Sequence, residues 1–120
     1  MNTLLIQPGE HPTPVTISGT LKSMQELVCG PIEVIYPFKD PVALVCNEEG
    51  KLNHLTPNRA LGHPETGEIY DVVFGPFFLC SAPTDSDRFE SLSQEQIKTY
   101  TEMFRNSRKI SSISIVLEVL

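Results

Sequence analysis

A chain of 120 residues, 40% hydrophobic and 20% charged, has the length to bury one core and the composition of a globular protein, not of a disordered one. Its 15 carboxylates outnumber its 9 lysines and arginines, and the resulting net charge of -6 argues against a general nucleic-acid binder, which needs a basic footprint to release counterions from phosphates. Acidity of this kind suits solubility, or docking on a basic partner surface.

Residues 3–7 read as a short strand, Pro8-Gly9-Glu10 as its turn and residues 14–17 as a returning strand, so a hairpin-like pair is expected at the start. Thr20 can cap a short helix over about 20–28, with Leu21, Met24, Leu27 and Val28 on one face and Gly30-Pro31 as the stop. Residues 32–36 and 42–46 are β-rich and joined by a proline-flanked link, which predicts neighbouring antiparallel strands. Asn47-Glu48-Glu49-Gly50 has turn chemistry, with Gly50 free to take positive φ.

Residues 52–61 read as compact and irregular, with one helical turn over 57–61, and residues 62–67 as an exposed loop. Strand character returns over 69–71 and 72–80, broken at Gly75-Pro76 by a bulge or kink. A polar linker over 83–90 leads to Ser93-Gln94-Glu95-Gln96, a capping box opening a longer helix over about 93–107, with Ile97, Tyr100, Met103 and Phe104 as its apolar stripe. Glu95 at its start and Arg105 and Arg108 at its end suit the helix dipole. Residues 110–119 alternate strongly in isoleucine, valine and serine, predicting a final strand, or an edge that pairs with another copy. The expectation is a single α+β domain, residues 1–120, built on a mainly antiparallel sheet.

Cys29, Cys46 and Cys80 are widely spaced, odd in number and set among apolar residues, so they are expected to be buried free thiols in a reducing compartment. Gln7, Pro8, Gly9 and Glu10 interrupt the opening Leu4-Leu5-Ile6, which is not a leader pattern, and no run approaches membrane-spanning length. A cytosolic location follows as an expectation, with no membrane partner. His11, His54 and His63 lack metal-ligand spacing, and nucleophile elbows, phosphate-cradling glycine loops and dinucleotide fingerprints are absent, so neither a metal nor a cofactor is expected.

Glu48 and Glu49 are adjacent carboxylates in a turn, where side chains diverge, and a solvated turn is a simpler reading than an acid–base pair. Cys46 with His54 as base would make a thiol nucleophile, but an apolar strand raises a thiol's pKa and blunts it. The leading recognition pair is Asn58-Arg59, a bidentate amide beside a planar fork of donors suited to carboxylate, phosphate or a base. The competing role is structural, with Asn58 capping a turn and Arg59 paired to Asp71 or Glu68. Tyr36 and Phe38, on either side of Pro37, offer a stacking platform or belong to the core and its rim. With Asn47 and Asp71 these four complete the expected ligand-binding set, and no catalytic residue is expected.

Residues 32–38, 41–52, 57–61 and 67–75, followed by Leu92-Ser93-Gln94-Glu95-Gln96-Ile97 and on to Phe104, together resemble a family of domains of unknown function, numbered 3846, carried by bacteriophages and mobile elements. The resemblance covers nearly the whole chain in order. It implies a small accessory α+β domain with no established enzymatic activity. Residues 110–120 depart from the pattern, since relatives often end after the helix or continue in polar sequence; an added apolar strand there favours a homo-oligomer.

Small accessory proteins of phages and mobile elements often neutralise host defence, an inference by analogy. The first expectation is therefore a sponge in the host cytosol, which captures a nucleotide-derived immune signal without catalysis. The alternative is an acidic inhibitor that binds a nucleic-acid-handling defence protein directly, in the manner of anti-CRISPR and anti-restriction proteins. Neither binds nucleic acid itself. A hydrolase of such signals ranks last.

Overall fold

The computed structural model describes residues 1–63 and 66–105. Strands β1 (Asn2–Ile6) and β2 (Thr13–Thr16) form the expected opening hairpin, with Thr3 opposite Val15. Helix α1 (Leu21–Val28) starts where the Thr20 hydroxyl accepts from the Ser23 N–H at 3.1 Å, and it buries Met24 and Val28. Its left-handed cap is Cys29, at φ +66°, and not the glycine that follows. Gly30 is needed for space instead, since a Cβ there would lie 2.7 Å from the Asn47 amide nitrogen. Cys29 is exposed, so only Cys46 and Cys80 are the buried thiols expected of all three.

Strands β3 (Ile32–Ile35) and β4 (Val42–Asn47) pair antiparallel, placing Glu33 opposite Cys46. Then come β5 (Pro57–Gly62), β6 (Ile69–Phe74), β7 (Phe77–Ser81) and α2 (Gln94–Phe104). Five strands form one antiparallel sheet in the order β2-β1-β7-β4-β3, and β5 with β6 forms a separate two-stranded ribbon. The fold is thus α+β and mainly antiparallel, as the sequence predicts.

The central strands are covered on both faces, which explains their unbroken apolar sequence. Ala43 and Val45 of β4 and Phe78 and Cys80 of β7 pack with Met24 and Val28 of α1. The alternate residues Val42, Leu44, Cys46, Phe77 and Leu79 face the other way, onto Leu61 and Val73 of the ribbon and Tyr100 and Phe104 of α2. Phe104 meets Phe77 and Phe38 edge-on, at ring-centroid distances of 5.8 and 6.3 Å. The capping box of α2 is complete: Ser93 Oγ accepts from the Gln96 N–H, and the Gln96 side chain accepts from the Ser93 N–H.

Two local expectations are corrected. Residues 57–61 form a strand and not a helical turn, because pairing to β6 and burial under the sheet outweigh the helix propensity of Arg59-Ala60-Leu61. Gly50 does not take positive φ; its role is close approach, since a Cβ there would lie 2.6 Å from the Phe74 carbonyl oxygen. Arg105 is the C-cap residue of α2, at the basic end the sequence predicts, and Arg108 lies outside the described residues. The break at Gly75-Pro76 is present: Gly75 sits at φ +83°, where the chain leaves the ribbon for the centre of the main sheet. The expected helix end at 106–107 and the expected strand over 110–119 lie outside the described residues.

Candidate functional site

The two strands of the ribbon carry two very different polar centres. A register shift between Pro57 and Arg59 makes Asn58 the extra residue on β5, and both Asn58 and Arg59 are buried, Arg59 at 0% exposure. The Asn58 amide nitrogen donates to the Ile6 and Gly75 carbonyls, at 2.9 and 2.8 Å, and its oxygen accepts from Arg59 Nη1 at 2.8 Å. Arg59 Nε and Nη2 both donate to the Phe104 carbonyl, at 3.1 and 2.7 Å, and Nη2 also reaches the Glu10 carbonyl at 2.9 Å. One guanidinium therefore ties the end of α2, the turn of the opening hairpin and β5 together. The Phe104 carbonyl is among the last acceptors of α2, at the end where a helix leaves carbonyls for outside donors. Asn58 and Arg59, expected to face a ligand, here face the core, and Asn58 caps no turn.

The second centre is open. A polar cleft of about 190 Å³ lies between the β3–β4 end of the sheet, the turn after β4 and strand β6. Glu33, Asn47, Glu48, Lys51, Asp71 and Phe74 supply most of its chemistry. Lys51 Nζ pairs with Asp71 Oδ1 at 2.6 Å and lies 5.9 Å from the centre of the Phe74 ring. Asp71 Oδ1 also accepts from the Val72 N–H at 2.8 Å. Asp71 is thus held by Lys51, and not by the Arg59 that the structural alternative assigned to it. The Asn47 side chain is a brace: its nitrogen donates to the Val28 and Cys29 carbonyls and its oxygen accepts from the Glu49 N–H, closing the turn. Glu33 and Glu48 are exposed and have no ion-pair partner among the described residues.

Cys46 lines the same cleft, with its thiol 3.7 Å from the Glu33 carbonyl and 3.9 Å from a Glu33 carboxylate oxygen. Burial, then the neighbouring Glu33 carboxylate, push this thiol up to about 12, which keeps it protonated and unreactive at neutral pH. His54, its proposed base, sits in the exposed turn at φ +56°. Glu48 and Glu49 are both solvent-exposed, the simpler of the two readings.

The aromatic pair separates. Tyr36 is 63% exposed and borders a shallow groove with Pro83, Arg88 and Phe89, whereas Phe38 packs on Tyr100 at a centroid distance of 4.7 Å. Of the six residues expected to bind a ligand, the structure brings only Asn47 and Asp71 to one cleft. Glu33 and Lys51 join them there unannounced. The available signal was register: Glu33 lies opposite Cys46, and a polar residue at that place in a half-buried strand points toward an opening. No cluster suited to a metal ion occurs among the described residues, and no described helix is long and apolar enough to cross a membrane.

This arrangement defines a small α+β domain with a structural polar core and a cleft rich in carboxylates. The chain belongs to the family described as domain of unknown function (DUF3846), whose model matches residues 1–105. No curated protein and no solved structure matches it.

Proposed function

We propose that this domain is a non-catalytic accessory protein of a phage or mobile element that docks its acidic surface on a basic, nucleic-acid-handling defence protein of the host and blocks it. The observation that carries the reading is a charge asymmetry between core and surface. No described carboxylate is buried, whereas Arg59 is withdrawn completely, so the surface is more acidic than the composition alone implies. A face of this kind steers association with a positively charged partner and competes with the phosphates that such a partner binds.

The nucleotide-capturing sponge keeps its place as a second reading, though it needs another cation. The fork of Arg59 is occupied by main-chain carbonyls, and Lys51 is tied to Asp71 in a cleft of about 190 Å³, small for a dinucleotide. Burial beside the Glu33 carboxylate holds the cleft thiol protonated, which disfavours Cys46 as a nucleophile in either reading.

The test is a binding titration of the full chain against the host protein it captures, repeated across salt concentrations, beside a thermal-shift screen with cyclic oligonucleotides and cyclic ADP-ribose isomers. Raising salt from about 0.1 to 1 M shortens the screening length from roughly 10 to 3 Å, so acidic docking predicts an affinity loss of at least about tenfold and no nucleotide shift. Salt-insensitive capture, or a shift of several degrees with an unchanged nucleotide, would overturn it.

A further inference from the structure

The five-stranded sheet ends in β2 on one side and β3 on the other. An open strand edge is a template for another chain unless something blunts it. β2 carries Pro14, which has no N–H to offer. In the ribbon, the Val72 N–H of β6 is taken by the Asp71 carboxylate, which Lys51 then covers. Strand β3 carries no proline, and among the described residues no side chain takes up its outward N–H groups.

Its ladder to β4 begins where the Glu48 N–H donates to the Pro31 carbonyl at 2.8 Å. Bonded and non-bonded pairs alternate along an antiparallel ladder, so Glu33 and Ile35 exchange hydrogen bonds with Cys46 and Leu44. The N–H and C=O of Ile32 and Val34 consequently point outward, and no described residue takes them up. Side chains alternate as well. Ile32 and Val34 lean on the α1 side, half-buried, while Glu33 stands on the opposite face and lines the acidic cleft together with Glu48, which is exposed as well.

We propose that β3 is the docking edge of this domain, and that it takes an extended segment of a partner protein bearing a lysine or arginine opposite Glu33. Main-chain hydrogen bonds to Ile32 and Val34 would supply the pairing, and the carboxylates of Glu33 and Glu48 the selection for a basic side chain. The proposal rests on the acidic-docking reading and locates it. The occupant is set by charge: the ladder is indifferent to sequence, but two carboxylates with no ion-pair partner among the described residues favour a cation on that side of the edge and oppose an acidic strand.

The experiment is an NMR titration of the full chain with a seven-residue peptide alternating lysine and valine, and with a control peptide in which glutamate replaces lysine. Hydrogen exchange of the Ile32 and Val34 amides should slow on the order of tenfold at saturation with the lysine peptide, while β2 amides stay unchanged. Glu33→Lys should weaken that peptide by about tenfold or more. Val34→Pro, which removes an outward N–H and leaves the β4 ladder intact, should abolish the protection; its melting temperature reports whether it folds, and Glu33→Lys decides if it does not.

Equal binding of the two peptides, or protection at β2 in place of β3, would overturn the proposal. So would slow exchange at Ile32 and Val34 in the free chain, which would place residues 106–120 or a second copy on the edge. If capture of the host protein stays salt-sensitive while Glu33→Lys changes nothing, β3 is the wrong edge and acidic docking survives. If capture ignores salt, acidic docking itself fails.

Discussion

Strand β5 of the ribbon holds a buried arginine and strand β6 an aspartate paired with Lys51 of the turn after β4, and the two show how burial decides what a charge does. On β5, Arg59 at 0% exposure donates to the carbonyls of Phe104, Glu10 and Asn58, so three separate stretches of chain depend on one side chain. On β6, Asp71 pairs with Lys51 while their side chains remain 41% and 62% exposed. Water competes for the second pair and not for the first. The residue best equipped to recognise a ligand therefore stabilises the fold, and the weaker cluster faces outward.

The sharpest way to break this contrast is Arg59→Ala. Removing a fully buried guanidinium and its hydrogen bonds to the Phe104, Glu10 and Asn58 carbonyls should lower unfolding free energy by about 3–5 kcal/mol in urea denaturation. Arg59→Lys keeps a charge but lacks the fork, and should recover only part of that loss.

A pH titration extends the contrast to the two buried thiols. Burial pushes both Cys46 and Cys80 up from 9.0 to about 12, with Glu33 contributing at Cys46. The unfolded chain ionises these thiols first, so their contribution is complete below pH 9.0 and is lost as pH rises toward about 12. The slope in that window is at most about 1.4 kcal/mol per pH unit per thiol, readable as a falling urea midpoint, and Cys80→Ala should flatten it.

Gly50→Ala probes the wall of the cleft. Its Cβ would meet the Phe74 carbonyl at 2.6 Å, so a loss of about 1–3 kcal/mol is expected, with the cleft residues the first to shift in NMR spectra. The smallest effect belongs to the open pair: Lys51→Ala should change stability by no more than about 1 kcal/mol, and by less at high salt.

Much of the architecture was legible locally. Thr20 and Ser93 start helices where capping chemistry places them, and Gly75-Pro76 breaks the long β-prone run where positive φ is needed. The opening hairpin and the β3–β4 pair followed from turn spacing and β propensity. The position of β7 between β1 and β4 did not, because no local signal says that a chain leaving Gly75 will cross to the centre of another sheet. The β5 strand was hidden by helix-prone residues whose conformation is set by pairing with β6. The role of Arg59 was hidden for a related reason. Its acceptors at Phe104 and Glu10 lie 45 and 49 residues away and are main-chain atoms, which carry no signature in the sequence. The cleft likewise draws on β3, β4 and β6, and only the fold brings Glu33 to Lys51 and Asp71.

The measurement that bears most directly on this account is urea denaturation of Arg59→Ala and Glu33→Lys side by side with the native chain. The account predicts a loss of about 3–5 kcal/mol for Arg59→Ala and a change within about 0.5 kcal/mol for Glu33→Lys. An Arg59→Ala protein as stable as the native chain would contradict it, and would return Asn58 and Arg59 to the surface as recognition residues.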